Sequence, residues 1–451
     1  MAPRSASVSA LTEETASQPS GFSGDTPKPP GLLGDTPKPP GLLGDTPKPP
    51  AFAVRERYGV RGAENLLLHA ENLRALGWLG ETHAGLFACA YFDPPFNTGR
   101  TFAEYKDARD TRGWLAMMRP RLAATLPLLR DDGAIFVEID DTMVGELLCL
   151  MDELFGKHNR LSTITVVRSA PTGHKAKNRG PVNVTDFVVA YEKTRGAWRY
   201  RPQVRVKGGY DAAYSLWVAN PEAPCEAWRF EPLLGRVAHE LGFASSRAAR
   251  AALGKEELQR RMGAFALAHA SHVARLAQPR FEAVSRAAQA LIVRSRAAPE
   301  RVLRLPRKGL PDLILRGGNR VLFLARKVRD VGGALCMVEP LTNVWDDLGF
   351  QGIAKEGGVV FSRNKKPERL LARVLAMATD PGDWVLDAFL GSGTTAAVAH
   401  KMGRRWVGIE EGQQLRDLCV PRLLRVVDGS DEGGVSQAYG WRGGGGFAVL
   451  A

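Results

Sequence analysis

Residues 86–96 read Leu-Phe-Ala-Cys-Ala-Tyr-Phe-Asp-Pro-Pro-Phe, and the fold is decided there. Leu86–Phe92 is a short, wholly apolar run, as expected of a strand buried on both faces. Asp93-Pro94-Pro95 must end it, because proline fixes φ and cannot donate to a ladder. A strand buried on both faces belongs to a sheet covered by helices, so strands and helices should alternate around it. They do. Trp114–Leu129 has helical apolar spacing, Ala134–Ile139 reads as a strand entered through Asp131-Asp132-Gly133, and Met143–Phe155 reads as an amphipathic helix. The alternation returns late in the chain as strand Trp384–Leu386, helix Thr394–Met402, strand Trp406–Ile409 and helix Gln413–Val426. The expected class is α/β with a mostly parallel sheet.

Between these halves the composition shifts. From Lys157 to Tyr210 twelve Lys or Arg face only Asp186 and Glu192, which is +10 of the chain's +13. Such an excess suits a polyanionic partner, since basic side chains on phosphates release condensed counterions. An Ala- and Arg-rich stretch, 235–298, reads as helices; within it Leu234–Leu253 has a helix-turn-helix look but reads as an Ala-rich packed pair. The expected division is a disordered Pro-rich tail (1–51), one half of an α/β domain (52–156), a basic insert (157–335), the other half (336–428) and a loose C-terminal tail (429–451). The Pro-rich tail is expected from Gly24-Asp25-Thr26-Pro27-Lys28-Pro29-Pro30, which recurs from Gly34 and from Gly44. Five widely spaced cysteines with no C-x-x-C pair indicate neither a disulfide framework nor a zinc site. No metal is expected, and His269 and His272 read as surface residues on a helix. Absence of a long apolar run or signal-peptide core points to a cytoplasmic protein without a membrane partner.

Two segments carry chemistry. Asp93-Pro94-Pro95-Phe96 follows a strand end, where ligands gather in open α/β sheets. It offers an acceptor carboxylate, a proline-locked carbonyl and an aromatic face, which suit a planar ring bearing an amino group. Val385-Leu386-Asp387-Ala388-Phe389-Leu390-Gly391-Ser392-Gly393-Thr394-Thr395 runs from a strand through a glycine turn into a helix. Glycines allow close approach of a ligand, and a helix N-terminus favours a carboxylate. Gly408-Ile409-Glu410 then places an acid at the next strand end, suited to ribose hydroxyls. The turn is not the G-x-G-x-x-G fingerprint and has no phosphate-loop lysine.

Together these segments resemble motifs IV and I of the amino-group DNA methyltransferases, in the circularly permuted order of their β group. More specifically the chain resembles the modification subunits of type III restriction systems and their solitary relatives. Supporting segments are Asn97-Thr98-Gly99, Ile139-Asp140-Asp141, Pro340–Trp345 and Lys365–Leu371. The resemblance implies a Rossmann-like S-adenosylmethionine-dependent methyltransferase fold with an inserted target-recognition domain. It implies Asp93, Pro94, Pro95 and Phe96 as catalytic residues. It implies Asp387, Phe389, Gly391, Ser392, Gly393, Thr394 and Glu410 at the cofactor, with Lys366 and Pro367 at its methionine end. Glu71, in Leu68–Leu73, stands where relatives have Asp, near the adenosyl group. Arg168, Lys175, Lys177, Arg179, Arg199 and Arg201 are the expected phosphate contacts. Asp in the first position of the tetrapeptide favours adenine over cytosine in the family's pattern. Double-stranded DNA, a homodimer and a restriction subunit are the partners implied. Two other readings remain open on the residues: a methyltransferase of RNA or of a protein amide, and a catalytically silent DNA-binding subunit.

Overall fold

The computed structural model describes residues 51–60, 62, 64–97, 110–170, 180–350, 352–360 and 365–451. The Pro-rich repeats therefore lie outside the described residues. Among these residues ten strands form one sheet: β1 (Val54–Gly59), β2 (Asn65–His69), β3 (Phe87–Phe92), β4 (Leu129–Ile139), β5 (Arg160–Val167), β6 (Thr185–Glu192), β7 (Val344–Trp345), β8 (Trp384–Asp387), β9 (Arg405–Glu410) and β10 (Gly446–Leu450). Their spatial order is β1-β10-β2-β9-β8-β3-β4-β6-β5-β7. From β10 through β4 all neighbours run parallel, whereas β6 is antiparallel to β4 and β5, and β1 to β10.

Every residue of β3 is buried, so both faces of the sheet must be covered. Side chains alternate along the strand and are claimed by different helices. Ala90, Phe92, Ile135 and Val137 pack beneath α1 (Asn72–Thr82), α2 (Thr111–Thr125) and α3 (Val144–Met151). Cys89, Tyr91, Phe136 and Val385 face the opposite layer, where Leu371, Val398 and Leu423 come from helices Glu368–Ala378, Thr394–Lys401 and Val420–Asp428. From β3 the chain moves to β4 on one side; from β8, its neighbour, it moves to β9 on the other. This reversal makes β3/β8 a topological switch point, and their carboxyl ends open a crevice.

Residues 204–340 build two further antiparallel sheets. One has six strands, ordered Val302–Leu305, Leu313–Arg316, Asn319–Phe323, Val273–Ala277, Leu216–Val218 and Phe230–Pro232; the other pairs Val328–Val331, Ala334–Pro340 and Val204–Val206. With them are helices α4 (Leu233–Glu240), α5 (Ser246–Ala268) and α6 (Arg286–Ala297), and the helices Glu368–Ala378, Thr394–Lys401 and Val420–Asp428 on the second face of the large sheet are α7, α8 and α9.

Four expectations are corrected. The stretch from Lys157, expected to open the insert, belongs to the large sheet as far as Glu192, because β5 and β6 extend it. Lys and Arg at strand ends and in loops hid these two strands, of which β5 is itself half polar. The segment 429–451 was expected as a loose tail, yet β10 is fully buried between β1 and β2. The last helix begins as a π-helical turn, Leu415–Cys419, before α9. His272 lies beyond the end of α5 and stacks on Trp217 with ring centroids 4.5 Å apart, its Nδ1 2.9 Å from the Val218 carbonyl oxygen.

Candidate active site

Strand alternation assembles the site before any long-range contact is considered. Cys89, Tyr91 and Asp93 fall on one side of β3, and Tyr91 pairs with Phe136 of β4. Two residues further along each chain, Asp93 and Glu138 arrive side by side. Across the other edge of β3, Asp387 terminates β8. Asp93, Pro94, Pro95, Phe96, Lys366, Asp387, Phe389, Gly391, Ser392, Thr394 and Glu410 line one crevice at these strand ends.

The tetrapeptide is held from two directions. Trp114, wholly buried on α2, donates its indole N–H to the Pro95 carbonyl oxygen at 2.7 Å. Lys366 sits on the other side, its Nζ 2.7 Å from Asp93 Oδ1, 3.5 Å from Glu138 Oε1 and 4.6 Å from the Phe96 ring centroid. Tyr91 donates its hydroxyl to the other Glu138 oxygen. Burial pushes the Glu138 carboxyl up to about 8 and that of Asp186 up to about 6. Burial works against the Lys366 ammonium, but Asp93, Glu138 and Asp186 outweigh it and hold it above the usual lysine range. Immediately after Phe96 the backbone of Asn97 is left-handed (φ 62°), unusual for a residue with a side chain.

The glycine turn is held as firmly. Asp387 accepts the Phe389 N–H at 2.9 Å, and burial pushes its carboxyl up to about 7. Glu410 accepts the N–H groups of Gly391 (2.8 Å) and Gly412 (3.0 Å) and the Gln414 amide (2.8 Å). Burial also raises the Glu410 carboxyl, against those backbone donors. Gly393 has φ 79°, and a Cβ there would lie 3.4 Å from Cys419 Cα in the π-helical turn. Thr394 Oγ1 accepts from Arg422 at 2.7 Å.

Three residues expected at the cofactor do not line the crevice. Gly393 and Pro367 cap α8 and α7. Glu71 caps α1 by accepting the Arg74 N–H at 2.9 Å and pairs with Arg121. Of the expected phosphate contacts, Arg168 pairs with Asp186 (3.3 Å), Arg201 with Asp380 (2.6 Å), and Arg199 is exposed. Lys175, Lys177 and Arg179 lie outside the described residues. The sequence reading missed Tyr91, Leu371, Leu390, Thr395 and Gln414, which line the crevice, and Trp114 and Glu138, which brace it. Glu138 did leave a signal, as a lone charge inside the apolar run 134–139. A charge buried in a strand needs a partner.

A family model described as DNA methylase matches residues 87–244 and 333–420. A protein of Haemophilus influenzae named "Probable type III restriction-modification enzyme HindVI Mod subunit" is 29% identical over 85% of this chain and 53% of its own length. The type II methyltransferase M.EcaI of Enterobacter cloacae is 25% identical over 71% of this chain and 61% of its own length. Among solved structures, the M1.HpyAVI–SAM complex is similar at 13% identity, covering 79% of this chain and 98% of that chain with a TM-score of 0.37. The chain thus spans between half and two thirds of the length of these two curated relatives. Matched over more than half of its residues, on both strands that form the crevice, the chain belongs to the DNA methylase family.

Proposed function

We propose that this chain transfers a methyl group from S-adenosylmethionine to the exocyclic amine of adenine in duplex DNA, as the modification component of a restriction system or as a solitary enzyme. The observation that carries this reading is that Asp93-Pro94-Pro95-Phe96 and the Asp387–Thr394 turn face one crevice from neighbouring strands.

The residues present fit the donor. Asp387 and Glu410 supply carboxylates for an ammonium and for ribose hydroxyls, and Glu410 keeps lone pairs beyond its backbone partners. Phe389, Leu390 and Leu371 supply apolar walls, and the N-terminus of α8 favours a carboxylate. S-adenosylmethionine, when bound, supplies an electrophilic methyl on sulfur.

The chain's own residues prepare the acceptor. An amine conjugated into a ring is a poor nucleophile because its lone pair is delocalised. Asp93 and the Pro94 carbonyl accept its two N–H groups, drawing nitrogen toward sp³ geometry and stabilising the charge that develops there. Phe96 stacks on the ring once the base has left the helix. Within this reading residues 193–343 carry the target-recognition insert, with Arg168 and Arg199 on the phosphate path and Arg201 acting chiefly as its tie to Asp380. A homodimer, a restriction subunit and a cytoplasmic location follow from the same reading; among the described residues no helix is long and apolar enough to cross a membrane.

The test is transfer of labelled methyl to unmethylated duplex DNA by the full chain and by Asp93→Ala. Label in adenine, lost in the variant, is the expected result. Label in cytosine would correct the base, and cofactor binding with no transfer to DNA would overturn the reading.

A further inference from the structure

We propose that Lys366 is the positioning residue for the Asp93 carboxylate, and that the buried carboxyl group of Glu138 holds Lys366 to that task. This rests on the reading of Asp93 as the acceptor for the target amine.

The two adjacent lysines of the Lys365-Lys366 pair are put to different uses. Lys365 turns away and donates to the carbonyl oxygens of Val359 (2.8 Å) and Ala354 (3.3 Å). Lys366 turns into the crevice with 8% of its side chain exposed, and its Nζ lies 2.7 Å from Asp93 Oδ1. The family resemblance put Lys366 at the methionine end of the cofactor; the geometry puts its ammonium on the acceptor side.

An ammonium buried between two carboxyl groups is not a stabilising choice, because the cost of removing the ions from water can exceed what their pairing returns. Glu138 is wholly buried, and among the described residues its Oε1 has no hydrogen-bond partner, although it lies 3.5 Å from Lys366 Nζ. Asp186, on the neighbouring strand β6, is paired instead with Arg168 at 3.3 Å. A structural ion pair would be expected to satisfy its own oxygens. Here the lysine lies closer to Asp93 and Glu138 Oε1 is left unsatisfied, so the arrangement serves Asp93. A fixed ammonium on Oδ1 keeps Asp93 an acceptor and sets the plane of its carboxylate. A pivot of that plane by an ångström removes the alignment that methyl transfer requires.

The experiment uses the full chain, S-adenosylmethionine and duplex DNA, with Lys366→Met, Lys366→Arg and Glu138→Gln. Methyl transfer, direct cofactor binding and thermal melting are measured on each. Lys366→Met should lower kcat about 100-fold while cofactor affinity stays within about threefold, with Lys366→Arg recovering part of the loss. Glu138→Gln, which preserves shape, should lower kcat about tenfold at saturating substrates and displace the pH profile. If Lys366→Met keeps kcat and loses cofactor affinity about tenfold or more, the lysine serves the cofactor and the proposal falls. Unchanged turnover in Glu138→Gln overturns it equally, and that variant together with Lys366→Arg decides the matter should Lys366→Met not fold. A wild-type chain that transfers no methyl to DNA removes the underlying reading as well, which separates the two failures.

Discussion

The Trp114 indole donates to the Pro95 carbonyl oxygen at 2.7 Å, tying the tetrapeptide to the buried face of α2. Asp110 caps the same helix by accepting the Gly113 N–H at 2.6 Å, so the tether is anchored at the helix's first turn. Trp114→Phe keeps the aromatic packing but leaves a buried carbonyl unsatisfied, at a cost of about 1–3 kcal/mol. Turnover should fall about tenfold or more, since Pro94 and Phe96 are positioned through that carbonyl. Thermal melting and methyl-transfer rates check the two parts separately; a variant with wild-type kcat would show that the tether is structural only.

Asp387 gives a pH signature. Burial raises its carboxyl from 3.8 to about 7, with Asp93 and Glu410 as like charges facing it. The unfolded chain loses that proton near 3.8 while the folded one keeps it to about 7. Stability due to this group is therefore fully present below the lower value and falls as pH rises toward the higher one, at up to about 1.4 kcal/mol per pH unit. Asp387→Asn removes the slope, so the stability difference between wild type and variant should shrink or reverse between pH 4 and pH 7. A cation bound at Asp387 must draw off the proton, so S-adenosylmethionine affinity should rise with pH up to about 7 in the wild type and stay flat in the variant. Parallel curves in denaturant titrations would refute the assignment.

The features legible in sequence were those written locally. The apolar run into Asp93 and the strand-turn-helix at Asp387–Thr394 each declare themselves within a dozen residues, and the crevice brings both together. What escaped is non-local. Nothing near Gly446–Leu450 announces a partner, because its partners are β1 and β2, at the other end of the described chain. Glu410 was read as a ribose acceptor, but the Gly391 amide it accepts becomes its neighbour only when β8 and β9 pair. Trp114 looks like any apolar helix residue, and its N–H partner, the Pro95 carbonyl, stands 19 residues earlier in the chain. Charge counting over Lys157–Tyr210 averaged strands and loops together and so hid β5 and β6.

The strand β10 supplies a direct test of that lesson. Phe447 is buried with its ring 5.1 Å from Tyr58 and 5.8 Å from Trp406, bridging β1 and β9. Phe447→Ala should cost about 3–5 kcal/mol, the range for opening a cavity of that size in a core. A tail residue would cost almost nothing. Denaturant midpoints of the two proteins distinguish these outcomes without reference to activity.

Beneath the glycine turn lies a second buried charge cluster, whose role is support. Glu368 accepts from Arg422 and Lys401, both at 2.8 Å, and from the Val435 N–H at 3.0 Å; Lys401 also meets Asp431 at 2.8 Å. All four side chains are almost fully buried. Arg422 extends this cluster to the turn itself through Thr394 Oγ1 (2.7 Å) and the Ser392 carbonyl oxygen (3.3 Å). Arg422→Met fills similar volume but strands the Glu368 charge with one cation fewer, which should cost about 3–5 kcal/mol. Because the same change releases Ser392 and Thr394, cofactor affinity should fall as well. The double variant Arg422→Met, Glu368→Gln removes the stranded charge and should recover much of the stability while leaving the turn unbraced. Melting temperature and cofactor affinity should then part company: stability returning with affinity still low marks Arg422 as the brace of the turn, whereas joint recovery would show that the turn stands without it.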